Sequence, residues 1–342
     1  MKPVFYVLFV LFFKQLQQMK CARFQRHFLQ HKTPEIPVLL LPGMGGSRLM
    51  LNKQVMYPPK LLDYISNFPV WKENMKNNKN IQTLPFGDKK SLDLQTNIKL
   101  FSIQNKYDNL LKEPNVFPIP YDFRRMDDFQ YLDIFFAELK TYIEKFRCPI
   151  NAICHSSGGL IMHYFLHNQT PEWKKKHIDT ITNVNVPFGG IPLILEFCTS
   201  NETAITRMIG TDLFCEIGAS VINIPNPTYF SNILTVDNKP IPDFLSYYGL
   251  DDIKRKRKHI KPILDTFTKS TGVNTHIMYS NSSHKNTVVG FKKTGNVLQK
   301  IYGQGDDIVP LDSLLVPKLW ENQEKILYRC LWGLSHSNIF VG

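Results

Sequence analysis

The stretch at residues 150–165 constrains the fold of this chain more than any other. A short apolar run at 150–153 is followed by small residues and then by an apolar run with helical spacing. This pattern predicts a strand that turns directly into a helix, with Ser156 at the turn. Gly158 and Gly159 follow, where side chains would crowd the helix against the strand. The hydroxyl of such a serine projects above a sheet. The alternative is a Ser/Gly-rich loop before a core helix.

A glycine-rich turn follows an earlier strand. The buried-strand run at 36–41 leads into Pro42-Gly-Met-Gly-Gly-Ser, which exposes backbone N–H groups. The Gly-Lys-Ser/Thr of a phosphate-binding loop is missing. In serine hydrolases built on strand-turn-helix units, such a turn supplies half of an oxyanion hole, and the residue after the serine, here Ser157, supplies the other half. A plain glycine turn is the alternative interpretation.

An acid and a histidine follow Ser156 in the order that such hydrolases use. A serine hydroxyl needs a histidine to take its proton and a carboxylate to orient that histidine. The glycine-flanked turn at 303–310 offers Asp306, with Asp307 as the second choice, and His336 follows the last expected strand. Taken singly, the turn could be a solvated loop and the histidine a structural one.

Three other histidines lie close to Ser156 in the sequence. His155 is adjacent to the serine, and a side chain at that position faces away from the hydroxyl. His163 and His167 lie on the predicted helix with no carboxylate turn near them in sequence. We therefore expect His163 and His167 to be structural, and we do not expect His155 to act as the base of Ser156.

The length and pattern of the chain predict an α/β fold with two insertions. The 342 residues could form one large domain with insertions or two ordinary domains, and a hydrophobic share of 43% is enough for a packed core. Strands are expected at 178–186, 276–279 and 325–328, and an amphipathic helix at 129–146.

We expect the core to comprise residues 31–190 and 270–342. A loosely patterned insertion at about 50–115 is interpreted as a lid or membrane-binding excursion, and residues 191–269, where prolines cluster, as a cap.

The charge of the chain favours an acidic partner. The net charge is +12 and the pI is near 9.3. The basic residues are dispersed apart from two short runs, 174–176 and 254–258, and no nucleic-acid-binding motif is present. We therefore expect an anionic membrane surface rather than nucleic acid to be the partner.

The N-terminal segment, residues 1–30, is signal-like or membrane-associating. Its apolar run of about ten residues fits a signal-peptide core and is too short to span a bilayer. We therefore expect the secretory pathway, with the protein secreted or membrane-associated. Of the six cysteines, only Cys198 and Cys215 have a local spacing that permits a disulfide, and no zinc cluster is indicated.

These motifs, in this order, resemble the lecithin:cholesterol acyltransferase family of the α/β-hydrolase superfamily, which includes lysosomal phospholipase A2 and phospholipid:diacylglycerol acyltransferases. The resemblance rests on stretches at 38–49, 120–124, 155–159, 187–190 and 305–309 and on His336. The chain departs from the family pattern at Cys154, which replaces the usual glycine before the serine, and at Phe123, which replaces a tryptophan.

The resemblance implies an α/β-hydrolase core, a mostly parallel sheet flanked by helices, with a membrane-binding insertion and a cap. It implies that Ser156 is the acylated nucleophile, His336 the general base and Asp306 its orienting partner. It also implies that the backbone N–H groups of Gly45 and Ser157 form the oxyanion hole.

The implied activity is a phospholipase A or O-acyltransferase that acts on glycerophospholipids through an acyl-enzyme. The acceptor is water or a lipid alcohol, and no metal or organic cofactor is implied. The alternative is a catalytically inactive lipid- or membrane-binding homologue. Loss of a member of the serine-histidine-aspartate set would favour that alternative, and all three residues are present.

Overall fold

The structure is a computed structural model that describes residues 36–92 and 106–340, apart from 202, 231, 232, 283, 285 and 296. The signal-like segment expected at 1–30 lies outside the described residues. Within the described ranges, no helix has both the length and the apolar character that a membrane span requires.

The strands are short, and six of them form the central sheet. They are β1 (Val38–Leu41), β2 (Leu49–Leu51), β3 (Gln54–Tyr57), β4 (Gln82–Thr83), β5 (Val116–Pro118), β6 (Ile150–His155), β7 (Ile178–Val184), β8 (Leu234–Val236), β9 (Lys239–Pro240), β10 (Asn274–Asn281), β11 (Thr287–Thr294), β12 (Val297–Gly303) and β13 (Ile326–Trp332). The central order is β13-β10-β7-β6-β1-β5, and every neighbouring pair is parallel. Parallel sheets are buried on both faces, which explains the unbroken apolar runs.

The helices cover this sheet and fill the connections between its strands. They are α1 (Leu61–Asn77), α2 (Asp108–Leu111), α3 (Phe129–Glu144), α4 (Ser157–His167), α5 (Pro171–His177), α6 (Leu193–Thr199), α7 (Ala204–Ile209), α8 (Thr211–Glu216), α9 (Gly218–Asn223), α10 (Phe244–Tyr247), α11 (Asp251–His259), α12 (Lys261–Thr266) and α13 (Leu311–Leu314). Short 3₁₀ helices span Lys89–Leu92, Phe123–Arg125, Val316–Leu319, Gln323–Lys325 and Asn338–Phe340.

The predicted α/β class and the core strands are confirmed. The strands expected at 36–41, 178–186, 276–279 and 325–328 correspond to β1, β7, β10 and β13. The amphipathic helix is α3, and its apolar face is buried in the core through Leu132, Phe135, Phe136, Leu139 and Ile143.

A hairpin that the sequence reading missed separates β10 from the Gly-Asp-Asp turn. The turn follows β12, whose neighbour β11 also pairs with β8 in a second sheet, β12-β11-β8-β9. The chain then returns to the end of β10, where the N–H of Ser282 donates to the carbonyl oxygen of Gly305 at 2.7 Å. The acidic turn therefore still lies at the carboxyl edge of the central sheet.

The two expected insertions have secondary structure of their own. Within 49–92 lie a small antiparallel sheet, β3-β2-β4, and α1. Residues 191–269 connect β7 to β10, which are neighbours in the central sheet, and contain α6 to α12 with β8 and β9. Both segments contribute side chains to the main hydrophobic core.

The two cysteines with permissive spacing are adjacent in space. Cys198 lies on α6 and Cys215 on α8, and the Sγ of Cys215 is 3.5 Å from the carbonyl oxygen of Cys198. Both side chains are free thiols in this structure.

Candidate active site

Ser156 occupies a strained position between β6 and α4. Its φ is 52° and its ψ is −129°, a conformation that residues other than glycine adopt at a cost of about 1–3 kcal/mol. The surroundings hold this conformation, since the N–H of Ser156 donates to the carbonyl oxygen of Val184 at 2.9 Å. The predicted strand-turn-helix is therefore present, and it is the geometry of a nucleophile elbow.

The glycines after Ser156 are required by close backbone approach. A Cβ at Gly158 would lie 2.4 Å from the carbonyl oxygen of Pro42, and one at Gly159 would lie 2.2 Å from Cγ2 of Val186. The crowding expected from the sequence is therefore confirmed. Cys154, which departs from the family pattern, is fully buried in β6.

Ser156, His336 and Asp306 form one chain of hydrogen bonds, although they lie far apart in the sequence. The Nε2 of His336 is 3.0 Å from the Oγ of Ser156. The Nδ1 of His336 is 2.6 Å from the Oδ2 of Asp306. All three side chains are buried, with Ser156 and His336 only 6% and 8% exposed. In this arrangement a neutral imidazole can accept the serine proton while the carboxylate stabilises the resulting cation.

Asp306 is held by the turn that contains it. Its Oδ1 accepts the N–H groups of Ile308 at 3.0 Å and Val309 at 2.7 Å. Asp307, the second choice of the sequence reading, has a φ of 78°, and its N–H donates to the Oγ1 of Thr287. The carboxylate bonded to His336 is thus that of Asp306, whereas its role in catalysis remains a prediction.

The glycine-rich turn after β1 reaches the serine. A Cβ at Gly43 would lie 3.0 Å from the Cβ of Ser156, so Gly43 is packed against the elbow. Gly45, with a φ of 70°, lies beside the hydroxyl of Tyr57. Ser157 is the first residue of α4, where backbone N–H groups have no partner within the helix. The proposed oxyanion donors, the N–H groups of Gly45 and Ser157, remain predictions.

Several polar residues near the elbow were not singled out from the sequence. The Oγ of Ser157 accepts the side-chain amide of Asn223 at 2.7 Å. Asn185 donates to Ser280 at 3.0 Å and to the backbone carbonyl of His336 at 3.4 Å. A lone asparagine at the end of an apolar strand or of a short helix carries no pattern that marks it in a single sequence.

A tyrosine and a lysine from the weakly patterned segment also reach the site. The hydroxyl of Tyr107 is 2.7 Å from the Nδ1 of His155. The Nζ of Lys106 is 3.3 Å from the Oγ of Ser337, and burial lowers the pKa of this amine to about 8. The surrounding polar, asparagine-rich sequence gave no indication that Tyr107 enters the core.

His163 and His167 lie outside the hydrogen-bond chain of Ser156, as expected. Their Nε2 atoms are 3.2 Å apart, and the Nε2 of His163 is 2.9 Å from the carbonyl oxygen of Thr266. The ring of His163 also contacts Trp320, with the ring centroids 4.8 Å apart. These contacts are those of structural histidines.

Comparison with known proteins connects the chain to lipid acyltransferases. A family model described as lecithin:cholesterol acyltransferase matches residues 99–214. Ser156 and Ser157 lie within that stretch, whereas Gly45, Asp306 and His336 lie outside it.

Two curated relatives illustrate the level of similarity. The chain is 25% identical over 223 residues to the lysosomal phospholipase A and acyltransferase of Mus musculus, covering 60% of this chain and 53% of that protein. It is 26% identical over 272 residues to the phosphatidylcholine-sterol acyltransferase of Gallus gallus, and this match covers 69% of this chain and 62% of that protein. The chain thus spans little more than half the length of these relatives.

The fold has a counterpart among solved structures. A chain in the crystal structure of the Tle4–Tli4 complex superposes with a TM-score of 0.60 at 12% identity, covering 91% of this chain and 96% of that one. At this identity the likeness is one of fold. The sequence matches thus show similarity to the lecithin:cholesterol acyltransferase family over part of the chain, and the structure has the α/β-hydrolase fold.

Proposed function

We propose that this chain is a serine-dependent lipid acyl hydrolase or O-acyltransferase that acts on glycerophospholipids. The observation that carries the proposal is the hydrogen-bond chain from Ser156 through His336 to Asp306. The activities for which the mouse and chicken relatives are named favour a phospholipid as the acyl donor.

The first half of the proposed reaction acylates the serine. The Nε2 of His336 takes the proton of Ser156 as its Oγ attacks the ester carbonyl, and the buried carboxylate of Asp306 stabilises the imidazolium. The N–H groups of Ser157 and Gly45 would bind the oxyanion. His336 then protonates the leaving oxygen, and the lysophospholipid departs from the acyl-enzyme.

The second half transfers the acyl group to an acceptor. The same imidazole removes a proton from water or from a lipid alcohol, whose oxygen attacks the acyl-enzyme carbonyl. Water gives a free fatty acid, and a lipid alcohol gives a new ester. In both cases the bond between the acyl carbon and the Oγ of Ser156 then breaks, and the His336 imidazolium returns its proton to that oxygen.

The proposed setting is a membrane surface in the secretory pathway. The net charge of +12 favours adsorption to anionic lipid, and the relative in mouse is named as lysosomal. We propose that residues 191–269 form the cap and residues 50–115 the membrane-binding excursion. Ile65 and Val70 on α1, exposed by 69% and 59%, support that assignment.

A serine-directed fluorophosphonate probe tests the nucleophile. Wild-type protein should be labelled at one site, and Ser156→Ala should lose both labelling and ester hydrolysis, the latter by about 10⁴-fold or more. Ser66→Ala, which removes an exposed serine on α1, should keep both. Labelling that persists in Ser156→Ala would show that the nucleophile is another residue. Absence of labelling and turnover in folded, vesicle-binding wild-type protein would favour the inactive lipid-binding homologue.

A further inference from the structure

The side chain before Ser156 makes a link that the proposed reaction does not use. His155 is buried, and its ring nitrogens bond to Tyr107 and to the backbone of His336. Its Nδ1 is 2.7 Å from the hydroxyl oxygen of Tyr107, and its Nε2 is 3.1 Å from the backbone carbonyl oxygen of His336. The same tyrosine oxygen accepts the N–H of Gly43 at 3.1 Å. A continuous chain of hydrogen bonds therefore joins the glycine-rich turn to the His336 loop.

The partners of His155 fix its protonation. A backbone carbonyl can only accept, so the Nε2 of His155 carries the hydrogen. The Nδ1 then accepts the hydroxyl hydrogen of Tyr107. Burial, with nearby Lys106 and His336, holds the pKa of His155 well below its ordinary value, so the ring stays neutral. Every donor in the chain has one acceptor, and the direction of each bond is set.

Both ends of this chain of bonds adjoin the reacting groups. At one end Gly43 is packed against Ser156, since a Cβ there would lie 3.0 Å from the serine Cβ. At the other end the carbonyl of His336 is held by His155, while the N–H of His336 donates to the carbonyl oxygen of Asp306 at 2.6 Å. The backbone that aims the His336 imidazole at Ser156 is thus held on both sides. A misplacement of about 1 Å in such a geometry can cost about 100-fold in rate.

We propose that Tyr107 and His155 are positioning residues, which set the distance between the glycine-rich turn and the His336 loop and thereby aim the imidazole at Ser156. The inference rests on the proposed serine hydrolase function. Neither side chain touches the reacting oxygen of Ser156, so their effect is on rate rather than on which bond is cleaved. Removal of either side chain interrupts the same link, because the bonds run in series.

The first test removes one hydroxyl. Tyr107→Phe should lower kcat for a soluble short-chain ester about 10- to 100-fold, with KM within about threefold of wild type. Turnover is counted per site titrated with the fluorophosphonate, so that misfolded protein does not contribute. The matched control is Tyr131→Phe. Tyr131 lies on α3, and its hydroxyl accepts the N–H of Asp122 at 2.6 Å. This control should keep kcat per site.

The second test asks whether the two residues act together. His155→Leu should lower kcat per site to a similar extent, and the double variant Tyr107→Phe/His155→Leu should be no slower than the slower single variant. His155→Gln, whose amide retains a donor and an acceptor, should recover part of the loss.

The possible outcomes distinguish the link through Tyr107 and His155 from the triad of Ser156, His336 and Asp306. Suppose that wild-type protein turns over substrate and that Ser156→Ala abolishes this turnover. Equal kcat in Tyr107→Phe and Tyr131→Phe would then overturn the positioning role of Tyr107 and His155, and it would leave the Ser156–His336–Asp306 triad intact. Multiplicative losses in the double variant would likewise show that the residues act independently. A wild-type protein whose turnover does not depend on Ser156 would overturn the triad and the link together.

Discussion

At the residue scale, the site depends on side chains whose geometry leaves little freedom. Ser156 is held at positive φ, and Asp306 is fully buried with both carboxylate oxygens bonded. Motif order and residue chemistry were enough to select Ser156, Asp306 and His336 from the sequence. Tyr107 and Asn185 could not be selected, because their contacts arise only when distant segments meet.

The adjacent acids Asp306 and Asp307 provide a direct comparison. Asp306→Asn should lower kcat by about 10⁴-fold, because an amide cannot stabilise the imidazolium and favours the wrong tautomer of His336. Asp307→Asn should change kcat by less than about tenfold, since His336 is bonded to Asp306. Steady-state kinetics on a soluble ester would measure both. A larger loss in Asp307→Asn would show that the neighbouring acid orients the histidine.

Buried His163 should make the stability of the fold depend on pH. Burial lowers the pKa of His163 to about 3, from an ordinary value of 6.5. Below pH 6.5 the unfolded chain binds a proton that the folded chain excludes, so this contribution to the unfolding free energy falls as pH falls towards 3. The expected slope is about 1.4 kcal/mol per pH unit for one such histidine.

Urea unfolding at several pH values measures this effect. His163→Gln keeps a donor for the carbonyl oxygen of Thr266 but cannot titrate. Its stability should therefore fall less steeply than that of wild type between about pH 6 and pH 4. Parallel slopes for the two proteins would contradict a neutral His163 in the fold.

At the element scale, the attachment of α1 is the least expected feature. The guanidinium of Arg124 donates to the carbonyl oxygens of Asn74, Met75 and Asn78 at the end of this helix. It also forms a buried ion pair with Asp122 at 2.6 Å. The Pro-Tyr-Asp-Phe-Arg stretch, noted in the sequence as a family resemblance, thus has a structural role as the anchor of α1.

Replacement of Arg124 should destabilise the fold. Arg124→Met leaves the Asp122 carboxylate buried and unpaired, which should cost about 3–5 kcal/mol. The control is Arg125→Met, since Arg125 pairs with Asp128, both side chains are partly exposed, and the pair should contribute about 0–1 kcal/mol. Chemical denaturation of both variants gives the comparison. Similar losses would mean that Arg124 does not anchor α1 in the way described.

Elements of the central sheet were easier to predict than the connections between them. β1, β7, β10 and β13 are apolar runs that need two buried faces, so their pattern is strong. The β11–β12 hairpin was missed because β12 is exposed along most of its length and shows no alternation. The position of β12 is decided by its pairing with β11, and no local sequence pattern reveals that pairing.

At the scale of the whole molecule, charge should control access to substrate. The net charge of +12 predicts binding to anionic vesicles that weakens with salt, since each Lys or Arg near the surface contributes about 1 kcal/mol. Raising salt should reduce vesicle sedimentation of the protein much more than hydrolysis of a soluble short-chain ester. Equal sensitivity of the two would contradict electrostatic adsorption.

The proposed reaction class rests on the hydrogen-bond chain at Ser156 and on the sequence matches, and neither of these indicates the acceptor. We expect the choice among water, diacylglycerol, sterol and ceramide to depend on how the two proposed insertions, residues 191–269 and 50–115, shape the site and exclude water from it. Those are the segments in which the sequence pattern is weakest. The sn-1 or sn-2 preference depends on the same surfaces, so products must be identified directly.

The most direct test uses phosphatidylcholine vesicles that contain diacylglycerol and sterol, with the two acyl chains labelled separately. We expect the wild-type protein to release lysophospholipid together with free fatty acid or a new lipid ester, and Ser156→Ala to give neither while still binding the vesicles. The labelled products would name the bond that is cleaved and the acceptor. Vesicle binding by wild-type protein with no acyl product would contradict the proposed acyl transfer.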